Sequence, residues 1–515
     1  MFGYCAGEGK KRGAPNRWGA AVRFMRTSIV LSFITVTLMS CDLIVAHPPA
    51  VGLEIPRAYR AAAVGKNGAL AAPDWWKSFH SAELTSLVEH AISVNYNIAA
   101  AVARIKQADA QFHSTGTLLL PSGGASFSHT ATRNSAIVDG YTAYFEHEPE
   151  VHVWSFTGNV SYEADFWGKN AALVLAAKKT AAASVYDRDV VKLTVISSVI
   201  NTYFQIMAYQ DELRIARDNV RVAERNQGMI KQRVDAGTST ALDLVQQQYV
   251  VAQQRISIPQ LREAIQQNVA AMATLLGEAP ENVEIRGRSL RGIAVPTVSP
   301  GLPSELILQR PDIREAEAKL EAAASNVMAA RKALLPSTQI TGQYGYESLA
   351  LKTLISPQAA VYQLAEGMTQ PIFDLPKLIA QVQGQEGAQL EMLQNYRQAI
   401  ISGFSDVERA LIAVRETSIQ ERLTRRSVEI ADEGYRLLNR QLAAGNVDIT
   451  TLLNTQRTQF EAQNALVNAQ LARFQAASAL YQALGGGWTF DPKPAEASQQ
   501  VPASPAPTAV PVVVH

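Results

Sequence analysis

Side chains able to do chemistry are few in this 515-residue sequence, and their spacing works against it. His147-Glu148-Pro149-Glu150-Val151-His152 offers two imidazoles and two carboxylates. A zinc-protease helix needs its histidines four apart on one face; here they are five apart with a proline between, which fits a loop instead. Asp312, Arg314, Glu315 and Glu317 suggest acid–base work, yet Pro311 stands directly ahead of them. Proline followed by acids is the plain signature of a helix N-terminus, where fixed φ and the helix dipole favour those residue types. No nucleophile elbow, phosphate-binding loop or dinucleotide fingerprint occurs. The two cysteines, Cys5 and Cys41, both precede the body of the chain, which therefore holds no disulfide and no thiolate metal site. A net charge of +1 with 18% charged residues argues against a nucleic-acid face. We expect no enzyme, no cofactor and no nucleic-acid partner.

Cys41 does have a context. Arg23 and Arg26 precede an apolar run from Ile29 to Met39, too short to span a bilayer as a helix. The run ends in Leu38-Met39-Ser40-Cys41, which is similar to a bacterial lipobox, with a small residue before a cysteine that is cut free and lipidated. Residues 1–40 are then a signal peptide, with Met25 a candidate start. An ordinary signal peptide with an incidental cysteine is the alternative. No later run of eighteen apolar residues occurs, so any membrane span must come from strands. The tail, 486–515, is rich in Pro, Ala, Ser and Val from Pro492 onward and is expected to be disordered.

The elements around these residues are written twice. At an offset of 208, Gly237 meets Gly445, Leu244 meets Leu452, Gln248 meets Gln456 and Lys169 meets Lys377. Upstream the offset becomes 215, pairing Ile98 with Ile313 and Pro121 with Pro336. Each copy (95–277 and 312–485) is expected to run helix, two strands, very long helix, turn, medium helix. Residues 41–94 form an anchored N-terminal segment ahead of the first copy, and 278–311 link the two. Residues 170–236 contain no proline and one glycine, Gly228, which allows roughly 100 Å of helix. Pro259 lies inside the first medium helix, where a bend or break is expected.

Four segments alternate in the manner of strands: Ala125 to Thr132, His152 to Tyr162, Ser337 to Glu347 and, less regularly, Ala360 to Thr369, where Glu366 interrupts the apolar face. Strands of about ten residues with one apolar and one polar face suit a membrane β-barrel, although a soluble sheet also alternates. Four strands cannot close such a barrel, so copies must combine. Eight strands make a barrel filled by its own side chains, and twelve leave room for a pore.

Several motifs carry a family resemblance. Asp74-Trp75-Trp76 with Asn95-Tyr96-Asn97-Ile98, Tyr162-Glu163-Ala164-Asp165-Phe166-Trp167-Gly168-Lys169, and above all Gln309-Arg310-Pro311-Asp312-Ile313-Arg314-Glu315-Ala316-Glu317 resemble the outer-membrane factor (TolC-like) family, in its NodT-type lipoprotein branch. Arg310, Pro311, Asp312, Arg314 and Glu317 are the signature positions. The match spans roughly Cys41 to Asp491. It implies a mainly α fold with a small β part: four membrane strands per protomer, twelve in a homotrimer, and a helical barrel reaching into the periplasm. It also implies a lipid-anchored outer-membrane location, a periplasmic adaptor protein and an inner-membrane pump as partners, and export of small molecules such as drugs. The second strand-to-helix junction, Phe373-Asp374-Leu375-Pro376-Lys377, departs from the family's paired glycines, and Asp42 after the lipobox favours inner-membrane retention in enteric bacteria. A periplasmic adaptor or a structural coiled-coil surface protein is the rival; the duplication and the strands argue against each in turn.

The resemblance makes Gly237 and Gly445 the periplasmic turns and places the aperture at Asp243, Asp448, Thr451 and Asn454. Thr451 and Asn454 stand three apart on one helical face, where related ducts carry acids. They form either a neutral polar ring, with any cation preference supplied by Asp448, or hydrogen bonds between helices; Asp243 holds neighbouring helices together.

Overall fold

The computed structural model describes residues 52–56, 58–60, 72–133, 150–296, 301–443 and 448–488. The described residues divide into two compact units, one built from 117–173 and 324–388, the other from the described parts of 52–116, 174–323 and 389–488. Both repeats contribute to each unit.

Eight helices and four strands occur among the described residues. In chain order they are α1 (Ala82–Val94), α2 (Tyr96–Gly116), β1 (Ser122–Thr132), β2 (Val151–Ala164), α3 (Lys169–Asp235), α4 (Ala241–Leu276), α5 (Pro303–Gln309), α6 (Pro311–Lys332), β3 (Ser337–Ser348), β4 (Ala360–Thr369), α7 (Leu375–Ala443) and α8 (Ile449–Ala483). With 67 and 69 residues, α3 and α7 are each about 100 Å long. The first is launched by Asp165, whose carboxylate accepts from the backbone N–H groups of Asn170 and Ala171. Those donors have no partner inside the helix, so the side chain supplies one. Asn95 does the same for α2, accepting from Asn97 and Ile98. Helix α4 runs unbroken through Pro259; no break occurs there. The short helix α5 lies in the linker and was not foreseen.

The first unit holds one antiparallel sheet in the order β1-β2-β3-β4. Phe127 pairs with Phe156, Phe156 with Tyr346, and Tyr344 with Tyr362. Because side chains alternate along a strand, this register gathers Phe127, Trp154, Phe156, Val160, Ile340, Tyr344, Tyr362 and Leu364 on one face. The other face carries Ser126, Ser128, Thr157, Asn159, Ser161, Gln339, Thr341, Gln343 and Gln363. Gly345 leaves no room for a side chain, since a Cβ there would lie 2.2 Å from the Phe156 carbonyl oxygen.

The second unit has the main core. Trp75, Phe79, Leu84 and Val88 pack against Val199, Ile200, Phe204 and Met207 of α3 and Phe474 and Tyr481 of α8. Trp75 stacks on Tyr481 at 4.7 Å, and Phe204 lies 4.6 Å from Phe474. The most apolar eighteen-residue window of α3, mean hydropathy 1.3, suffices by length and composition for a membrane span, but half of it is buried within the protein.

Candidate functional site

Three parts of the chain correspond to the positions singled out in the sequence: the signature, the hairpin tip and the two-faced sheet. In the signature, Arg310 is 8% exposed. Its Nε and Nη2 donate to the two carboxylate oxygens of Asp312 at 3.0 and 2.7 Å, a bidentate pair; Nη2 also reaches Asp406 of α7 at 3.3 Å, and Nη1 donates to the Ala483 carbonyl at 3.0 Å. Burial alone would lower its pKa, but the carboxylates of Asp312 and Asp406 outweigh that and hold it above its ordinary value. One guanidinium thus ties the start of α6 to α7 and to the end of α8. Pro311 is the first residue of α6, and Arg314 donates to Glu317 at 2.6 Å one turn on. These groups act as a clasp, and a cavity of about 430 Å³ opens beside Arg310 and Asp406, walled also by Arg409, Ala410 and Gln482.

At the tip, α3 ends on Gly237 with φ +72, a left-handed residue that lets the Thr238 N–H reach the Arg233 carbonyl at 2.8 Å and the Gly237 N–H reach Val234 at 2.9 Å. Helix α4 then starts with a reciprocal box. The Asp243 N–H donates to Thr240 Oγ1, and the Asp243 carboxylate accepts from the Thr240 N–H and the Ser239 hydroxyl, both at 2.8 Å. These bonds, the Thr240 backbone foremost, hold the Asp243 carboxyl below its ordinary value. Ile230, Leu438, Leu442 and Leu452 form a small core that packs the ends of α3, α7 and α8 together. Tyr435 of α7 accepts from buried Asn226 of α3 at 3.0 Å.

Asp448 caps α8, accepting from the Thr450 N–H at 3.2 Å. Thr451 and Asn454 are exposed, on the opposite side of α8 from buried Leu452 and Gln456. Asp448 is exposed too, so the structure brings Asp448, Thr451 and Asn454 together on open surface, while Asp243 is engaged in its cap. Gly445 and Cys41 lie outside the described residues, as do His147 and Glu148.

Sequence reasoning missed two clamps on the linker, one at half-buried Glu83 and one at buried Asp211. Glu83 accepts from the backbone N–H groups of Arg286 and Gly287 and from Tyr203 Oη at 3.0 Å. Burial pushes that phenol up to about 12. Asp211, 2% exposed, accepts from Ser289 Oγ and the Leu290 N–H. Each carboxylate is separated from its partners by tens to hundreds of positions, so no local pattern marks it.

The apolar face of the sheet is open: Phe127 is 58% exposed, Tyr362 85% and Leu364 79%. Contiguous apolar surface of this kind marks a membrane or partner face. Both outer strands, β1 and β4, present an edge.

Against known proteins, the outer membrane efflux protein family matches residues 87–278 and 302–486. The pyoverdine export outer membrane protein OpmQ of Pseudomonas putida is 35% identical over 461 residues, 89% of this chain and 97% of its own. Its namesake in Pseudomonas aeruginosa is 36% identical over 444 residues, 85% and 93% of the two chains. The outer membrane channel CmeC of Campylobacter jejuni shares the fold with a TM-score of 0.79 at 22% identity, over 86% of this chain and 94% of that one. On sequence along most of its length and on fold, the chain belongs to the outer membrane efflux protein family, a TolC-like outer-membrane channel of an efflux system.

Proposed function

We propose that three copies of this chain, each anchored by lipid on Cys41, close a twelve-stranded barrel and form the exit duct of a tripartite assembly with a periplasmic adaptor and an inner-membrane pump. The observation that carries this reading is the four-stranded sheet with one apolar and one hydroxyl- and amide-rich face and an edge at each end. Unpaired strand edges cannot face lipid, so β1 of one copy must meet β4 of the next. Four strands per copy give eight from two copies and twelve from three, and only the wider ring leaves a pore. In this reading the repeats 95–277 and 312–485 each supply two strands and one hairpin, and the hairpin turns at Gly237 and Gly445 meet at the periplasmic tip. The duct performs no covalent chemistry. The relatives' names point to cargo of the pyoverdine kind, a small secreted molecule, and we carry that class over to this chain.

Deleting the chain from its host tests the reading. Cells lacking it should retain a small secreted compound inside the envelope, and the intact gene should restore release. Unchanged release from the deletion strain, with no compensating relative expressed, would overturn it.

A further inference from the structure

Between the linker and the helices α7 and α8 of the second unit lies a cavity of about 620 Å³. Three arginines line it, Arg291 from the linker, Arg425 from α7 and Arg473 from α8, against one carboxylate, Glu421. Phe474 and Leu466 supply an apolar wall. Glu421 is 7% exposed, and its two oxygens accept from Arg425 Nη2 and Arg473 Nη1, each at 2.6 Å. Each guanidinium has five N–H donors in a fixed planar fork, and the bond to Glu421 engages one nitrogen of each. Arg291 is exposed and forms no ion pair among the described residues. The lining is thus rich in positive charge and in donors that one carboxylate does not exhaust.

Arginine without lysine is the pattern for planar oxyanions, because the guanidinium fork matches a carboxylate in two-point contact. Glu421 shows that a carboxylate is accepted here, bridging two guanidinium groups by one bond to each and leaving the rest of each fork for a ligand. Apolar walls around like charges focus the field into the opening and strengthen the pull on an anion. The clasp at Arg310 differs: there Arg310 and Arg409 are matched by Asp312 and Asp406, and no excess positive charge remains.

We infer that this cavity is an anion site which takes a ligand bearing two or more carboxylates, held by Arg291, Arg425 and Arg473 over the internal Glu421. Such a site gives the duct a binding function apart from conduction.

Calorimetric titration of the full-length protein in detergent at low ionic strength, with citrate as the probe, tests the site. Citrate should bind saturably at one site per chain. Arg291→Gln, an exposed position without a structural partner, should weaken binding by about tenfold, the worth of one charge-assisted contact. Glu421→Gln should tighten binding, since it removes the opposing charge. Absence of saturable binding, or equal affinity in the wild type and Arg291→Gln, would overturn the inference. Sulfate binding as tightly as citrate would overturn the planar-carboxylate assignment. Should Glu421→Gln fail to fold, the comparison with Arg291→Gln still decides.

Discussion

At the scale of single residues, buried carboxylates fix segments of the second unit to one another. Asp211 is buried and accepts from Ser289, Leu290 and Arg214, pinning the linker against α3. Asp211→Asn keeps the shape but turns a donor toward donors, so we predict a loss of about 2 kcal/mol in local stability. Faster hydrogen exchange of the Leu290 amide would report it, and unchanged exchange would refute the clamp. Asp448 is predicted to act through its charge. If three copies meet at the tip, Asp448→Asn lowers cation selectivity in planar bilayers, whereas Thr451→Asp with Asn454→Asp raises it; salt screens both effects. Indifference of the conductance to all three changes, in channels shown to be trimeric, would contradict the aperture assignment. These positions differ in how far the sequence reveals them. Pro311 with Asp312 announces a helix start by local rules, but the partners of Arg310 at Asp406 and Ala483 are brought near only by folding. Thr451 and Asn454 face away from the core of the hairpin, and if copies meet at the tip their partners come from those copies.

At the scale of elements, local rules carried much further. Strands expected from alternation at 337–347 and 360–369 form at Ser337–Ser348 and Ala360–Thr369, because a period of two with turn-forming flanks has few other solutions. The long helices follow from a lack of proline and from the residues that start them. Helix α5 was missed because seven residues hold no full period of apolar spacing, and its start at Pro303 resembles any proline in a linker. Three outcomes are expected of these elements. Thr240→Ala removes one half of the box that starts α4 and should cost about 1 kcal/mol at the tip. Because the folded Asp243 carboxyl titrates below its ordinary 3.8, its contribution is complete above that value and is lost as pH falls through the lower folded value. Amide protection at residues 238–244, corrected for intrinsic rates, should therefore drop on acidification below about pH 4; protection that stays flat would refute the box. Gly345→Val should block pairing of β2 with β3, since its Cβ would meet the Phe156 carbonyl and Thr157. Loss of heat-resistant mobility on semi-denaturing gels would show it, and wild-type mobility would contradict that packing.

At the scale of the whole molecule, the sheet sets the assembly. An edge strand at each end with an exposed apolar face between them is unstable alone in either water or lipid. Joining the β4 edge of one copy to the β1 edge of the next is a head-to-tail contact, which closes into a ring when the rotation permits. The family and the fold establish an outer-membrane channel; the number of copies is the central claim beyond them. Native mass measurement of the detergent-extracted protein tests it most directly. The account predicts one particle holding three chains, each with acylated Cys41 at its N-terminus. A uniform population of one or two chains in detergent that preserves activity would contradict it.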